Sequence, residues 1–210
     1  MKDDFKNIVS TDWLEQHLEA PDIRIIDSSW YFPQEKRNAE QEFLECHIPG
    51  ASFFDIDKIK DNDSDLPHML PPSEMFNSTV RKLGIGDGHK VVIYDGLGMR
   101  SAARLWWMFK VFGYSDVVVL DGGFPKWVKE NRSTTAEITE KEIRHLTIYE
   151  DKSIVADRDD VLRATKLNHC SIIDARSEGR FMGTAPEPRS GLRSGCLLYT
   201  SDAADDWSSG

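Results

Sequence analysis

Cysteine is scarce in this chain of 210 residues: Cys46, Cys170 and Cys196 are an odd number without the spacing of a disulfide framework. That excludes a small secreted domain built on bridges and fits a reducing compartment. Basic charge is also short. Against 36 Asp and Glu stand 26 Lys and Arg, a formal net charge of −10, which argues against nucleic acid or an anionic membrane as partner. No apolar run approaches the length of a membrane span. The opening stretch MKDDFKNIVSTDW carries early acids and no apolar signal core, so no leader is expected and the cytoplasm is the expected compartment. What is present is ordinary for a globular chain, 40% hydrophobic and 30% charged residues. The length admits one large domain or two small ones.

Helix and strand signals alternate along the first half. VSTDWLEQHL offers Ser10 as N-cap, Asp12 in the first turn, and Trp13, Leu14 and Leu18 as an inward stripe. IRIIDSS (23–29), KVVIYD (90–95) and DVVVLDGG (116–123) read as buried strands ending in small polar residues. SAARLWWMFKVFG reads as a helix that Gly113 terminates, and FPKWVKEN begins another with Pro125 in its first turn. Apolar strands alternating with helices predict a parallel sheet covered on both faces, an α/β fold. Ligands on such sheets gather at the C-terminal strand ends, where Asp27 and Asp95 fall.

Residues 131–153 are polar and without a strong period, and read as a linker. The pattern then restarts. IVADRDDVLRATKLNHCSIIDARSEGRF repeats the order of IVSTDWLEQHLEAPDIRIIDSSWYF, with Leu14 and Leu162 offset by 148 and Asp27 and Asp174 by 147. A near-constant offset is the mark of a duplicated unit. The expected domains are therefore 8–130, complete, and 154–196, the start of a second similar unit. His47 follows Asp27 by twenty positions, and Cys196 occupies the matching slot in the second unit. Beyond it LLYTSDAADDWSSG has neither period nor cap, so 197–210 reads as a foreign or disordered tail. The loop DGLGMRSA begins 68 positions after Asp27, which puts its second-unit counterpart near position 242.

These pieces resemble a known family, the two-domain rhodanese-type sulfurtransferases, and most closely its 3-mercaptopyruvate branch. HIPGA, SAARLWWM and EPRSGLRSG carry the likeness together with LPHMLPP and LDGGFPKW, over residues 8–195. The resemblance implies that each domain is a parallel five-stranded sheet wrapped by helices. It also implies transfer of sulfane sulfur from 3-mercaptopyruvate or thiosulfate to a thiol or cyanide through a cysteine persulfide, without metal or organic cofactor. The nucleophile belongs to a C-G-S-G-type loop of the second domain, where backbone N–H groups and a helix N-terminus lower a thiol's pKa. The partners implied are a small-molecule sulfur donor and a thiol acceptor.

By that resemblance Asp95, Gly96, Gly98 and Ser101 form a degenerate active loop with a carboxylate where the sulfur would stand. A carboxylate is a hard nucleophile that forms no persulfide. Asp95 is read as a helix-capping relic rather than a general base, and its loop as structural support for the domain interface. With the nucleophile loop missing, the chain itself is expected to be an inactive fragment. Arg180 in GRF and Arg189 in EPR match the family's substrate-carboxylate arginines, whose guanidinium forks suit a planar carboxylate. His47 has two readings: a titrating cleft residue, or a loop histidine that locks the I-P-G turn. Cys46 beside it is not a Cys–His pair, because neighbouring side chains point apart. Cys170 reads as a buried structural thiol, and Trp106 and Trp107 as packing. GLG lacks the spacing of a nucleotide loop. The rival function is a non-catalytic rhodanese module that binds a partner or an anion.

Overall fold

The computed structural model describes residues 7–167, 171–187 and 195. The chain divides into two compact units, one running to Ile154 and one from Val155. In the first, β1 (Ile8–Val9), β2 (Ile23–Asp27), β3 (Ser52–Phe53), β4 (Lys90–Tyr94) and β5 (Val117–Leu120) form one parallel sheet in the order β1-β5-β4-β2-β3. Parallel neighbours need crossovers, supplied by α2 (Ala39–Glu45), α3 (Ser73–Lys82) and α4 (Ala102–Val111). α1 (Thr11–Gln16) and α5 (Gly123–Lys129) complete the helical layers.

The strand sequences explain why both faces are covered. Successive side chains of a strand alternate between faces. Ile26, Val91, Ile93, Val117 and Val119 meet Phe76 and Val80 of α3 and Leu105, Met108 and Phe109 of α4. Ile25, Val92, Val118 and Leu120 meet Leu14, Phe43 and Trp127 of α1, α2 and α5. Each fully buried side chain of this size is worth about 1.5–3 kcal/mol. Ser10 caps α1 through the Trp13 amide at 3.2 Å, and Asn38 caps α2 through that of Gln41 at 3.0 Å. Gly113, at φ +76°, supplies the left-handed residue that closes α4.

Residues 131–153, expected as a linker, have little regular structure but lie against the first unit as a strap. Thr135 and His47 exchange backbone hydrogen bonds. The Thr147 amide donates to Asp87 at 2.9 Å, and the Tyr149 amide to the Phe112 carbonyl at 3.1 Å. Leu146 is 3% exposed and belongs to the core on the α3–α4 side. One buried leucine and a row of backbone hydrogen bonds hold a segment whose polar composition conceals them.

In the second unit α6 (Arg158–Thr165) begins at Asp157 with a reciprocal cap: the Asp160 amide donates to Asp157 and the Asp157 amide to Asp160. α7 (Glu178–Phe181) follows. The IID at 172–174, matched by sequence to β2, forms no strand here, and Ile173 is 87% exposed. A strand needs a neighbour for its backbone groups, and among the described residues this one has none. Cys170, Arg189, Cys196 and the tail 197–210 lie outside the described residues.

Candidate functional site

The C-terminal ends of β2 and β4 put Asp27 and Asp95 side by side, both buried. Asp95 answers its loop's own geometry. Its Oδ1 accepts from the Leu97 and Met99 amides at 2.8 and 3.1 Å, and its Oδ2 from the Ala102 amide, the first of α4, at 2.8 Å. The cradle of N–H groups that could hold an anion is filled by the chain's own carboxylate. The capping role expected of Asp95 is thus performed from seven residues upstream, while Ser101 at the N-cap position makes no capping bond. The buried Ser101 hydroxyl has no hydrogen-bond partner. Gly96 donates its amide to Ser29 Oγ at 2.8 Å, and a Cβ there would stand 2.1 Å from the Tyr31 hydroxyl. Only glycine fits that approach. Gly98 lies in the same turn, against Gly122.

Asp27 accepts from Ser29 N at 2.8 Å and from Ser29 Oγ at 2.5 Å. Burial pushes its carboxyl up to about 6, against the pull of Ser29 and Tyr94 and with a push from Asp95. Burial likewise drives the Tyr94 phenol well above its ordinary value.

His47 is fully buried, stacked on Phe43, with Nδ1 2.6 Å from the Phe43 carbonyl and Nε2 3.3 Å from that of Glu137. Both ring nitrogens face backbone oxygens, so the histidine locks its turn to the strap and presents no edge to a cleft. Cys46, which ends α2, is a free thiol of intermediate exposure. Trp106 and Trp107 pack against the core, Trp106 donating to the Val117 carbonyl.

Beside the Asp95 loop opens a cavity of about 460 Å³, walled by Trp30, Phe32 and Met69 and edged by His68, Arg100 and Arg104. Here the structure assembles a pair that the sequence reading did not single out. His68 Nε2 lies 2.6 Å from Asp57 Oδ1, and Trp30 Nε1 donates to Asp57 Oδ2 at 3.0 Å. A carboxylate only accepts, so Nε2 carries a proton and donates it to Asp57. Arg100 pairs with Glu35 at 2.8 Å across the face of Phe32. The available signal was LPHMLPP, a histidine between two proline-bearing turns, eleven residues after Asp57.

In the second unit Arg180 is not a free fork. Its Nε and Nη2 donate to Glu187 Oε2 at 3.0 and 2.6 Å, while Glu187 Oε1 takes Arg176 at 2.8 Å. Arg176 also grips Asp174, whose carboxyl it holds down to about 2. Among the described residues no cluster of His, Cys, Asp and Glu is arranged to hold a metal, and no helix is long and apolar enough to cross a membrane.

A five-stranded parallel sheet with an anion-cradle turn after its central strand is the architecture of a rhodanese-like domain, and residues 10–130 match that family. The chain belongs to it. It is 44% identical over 209 residues to thiosulfate/3-mercaptopyruvate sulfurtransferase 1, mitochondrial, of Arabidopsis thaliana, covering 90% of this chain and 55% of that protein. It is 40% identical over 197 residues to the 3-mercaptopyruvate sulfurtransferase of Rattus norvegicus, covering 91% of this chain and 66% of the rat protein. The crystal structure of SseA from Escherichia coli, a 3-mercaptopyruvate sulfotransferase, superposes with a TM-score of 0.81 at 38% identity, over 91% of this chain and 72% of that one. The chain thus spans less than two thirds of the length of these curated relatives.

Proposed function

We propose that this chain is part of a sulfurtransferase that moves sulfane sulfur from 3-mercaptopyruvate, or thiosulfate, to a thiol or cyanide. A cysteine thiolate attacks the donor sulfur. With 3-mercaptopyruvate an S–S bond forms as the donor C–S bond breaks, and its electron pair leaves on pyruvate enolate, which takes up a proton; with thiosulfate the donor's own S–S bond breaks and its electron pair leaves on sulfite. An acceptor thiolate then removes the outer sulfur and returns the cysteine. The nucleophile belongs to the second-domain counterpart of the Asp95 loop, near position 242 by the repeat offset. Supporting this division of labour is the Asp95 carboxylate held by three backbone amides, which leaves the first domain's cradle no room for a donor.

Arg180, with Arg189 nine positions further on, receives the donor carboxylate. Glu187 occupies the Nε–Nη2 edge of Arg180, so the other edge is the one offered. In the first unit the cavity edged by His68 takes a small organic anion, and the His68–Asp57 pair holds a proton for it. The three cysteines fit a reducing compartment, which supports the cytoplasm.

The test is sulfide or thiocyanate release from mercaptopyruvate. The 210-residue chain is expected to stay at background, alone and with each cysteine changed to serine. A longer polypeptide carrying the second loop is expected to turn over, and His68→Gln in it to lower kcat about 10²-fold. Robust turnover by the 210-residue chain, abolished by one cysteine substitution, overturns the assignment of the nucleophile.

A further inference from the structure

His68 sits at φ +57°, in the left-handed region that a residue with a Cβ rarely occupies. Such a conformation persists only where its surroundings impose it. The neighbouring sequence does not: Pro67 restricts the residue before it, not the one after. Within the loop, the Asp61 amide donates to the Met69 carbonyl at 3.2 Å, which closes the turn without touching the His68 peptide oxygen. That oxygen accepts from Arg104 Nη2 at 2.6 Å. Arg104 belongs to the first turn of α4, so its anchor is the rigid helix that follows the Asp95 loop. Its guanidinium lies over the Trp107 ring, 4.6 Å from the centroid, and burial lowers its pKa without removing its charge. Arg104 Nε is buried with no partner, and its Nη2 holds the His68 carbonyl.

We infer that Arg104 is the positioning residue for His68: its Nη2 clamps the His68 carbonyl, fixes the left-handed turn, and thereby aims the imidazole at Asp57 and Trp30. The ring geometry follows from that turn. Nε2 reaches Asp57 at 2.6 Å and the ring meets Trp30 edge-on, with centroids 5.0 Å apart. The inference rests on reading His68 as the proton-holding group of the cavity, but its measurement does not depend on turnover.

The experiment is proton and nitrogen NMR on the full 210-residue chain. An imidazole N–H held by a carboxylate gives a downfield resonance protected from solvent exchange, and Asp57→Asn identifies it by abolishing it. Arg104→Met is expected to broaden that resonance beyond detection while backbone signals of β2, β4 and β5 stay in place. Arg104→Lys, whose ammonium can still donate to a carbonyl, is expected to restore it. A packing role alone predicts the opposite pattern, with the His68 resonance intact and core signals shifted. If Arg104→Met fails to fold, the wild-type chain still decides: an Arg104 Nη–H in slow exchange with a cross-peak to His68 Hα supports the clamp, and its absence overturns it. Retention of the His68 resonance at wild-type position and intensity in a folded Arg104→Met chain overturns it as well. Should the clamp hold while His68→Gln leaves turnover of the longer polypeptide unchanged, the functional reading fails and the structural one stands.

Discussion

Replacing Asp95 by asparagine tests whether a carboxylate, and not just a polar residue, is what the loop after β4 requires. The two side chains have nearly the same shape, so the change is electrostatic. Asp95 accepts three backbone N–H groups, two on Oδ1 and one on Oδ2, from a fully buried position. An asparagine can keep its oxygen toward Leu97 and Met99, but its NH₂ then faces the Ala102 amide, donor against donor. Flipped, it satisfies Ala102 and opposes the other two. Either way at least one buried N–H is orphaned at about 1–3 kcal/mol, and the remaining bonds lose their charge assistance. The sum is about 2–4 kcal/mol. For a unit of this size each kcal/mol moves Tm by about 2–4 °C, so a drop of about 4–16 °C is expected. Urea unfolding followed by circular dichroism should give a lower midpoint with an unchanged slope. Asp95→Ala, which orphans all three donors, should cost more than asparagine. An Asp95→Asn chain within about 0.5 kcal/mol of wild type refutes the reasoning, because it would mean that the cradle does not need the anion it encloses.

Asp27 gives a pH test with a defined sign. Its folded pKa of about 6 lies above the ordinary carboxylate value of 3.8, so the folded state prefers the neutral acid. The stability it contributes is present below about pH 4 and is lost as pH rises through 6, by about 2–3 kcal/mol. Wild type should therefore lose more stability between pH 4 and 7 than Asp27→Asn does, and equal pH profiles would contradict the burial argument. The strap is tested by Leu146→Ala, expected to cost about 2–4 kcal/mol because Leu146 is 3% exposed. Ile143→Ala, at a residue 65% exposed, should stay within about 0.5 kcal/mol; equal small effects would return residues 131–153 to the status of a linker. Arg180→Ala should weaken pyruvate binding to the chain by about tenfold, read by calorimetry. Unchanged affinity would remove Arg180 from the donor site.

The sheet was legible because its strands are short, β-branched and apolar on both faces, a pattern that only a covered parallel sheet satisfies. Gly113 and Ser10 marked helix ends by local chemistry, and both act where the sequence places them. Asp95 accepts amides from its own loop and from the first residue of α4, because loop and helix N-terminus are contiguous in the chain. For His47 the sequence offered the turn-locking role beside the cleft role but not the partner, because the Glu137 carbonyl lies ninety residues away on a segment with no period. The strap escaped for the same reason, since its few apolar residues are irregularly spaced and Leu146 is the one among them that is buried.

His68 and Asp57 show where pattern reading stops. Eleven residues of irregular loop separate them, and their approach depends on a left-handed backbone that no side-chain alphabet announces. What fixes that backbone comes from α4, thirty-six positions further on. The same short stretch, residues 95–104, therefore does two opposite things. Asp95 closes a cradle by filling it with internal charge, while Arg104, one turn into the following helix, reaches out to hold a histidine at the edge of a cavity. Backbone amides that converge on one point hold a carboxylate there as they would another anion, and the loop and helix so fixed form a scaffold. The scaffold is then free to orient other groups. The capped helix and the held histidine follow from one arrangement of loop and helix N-terminus.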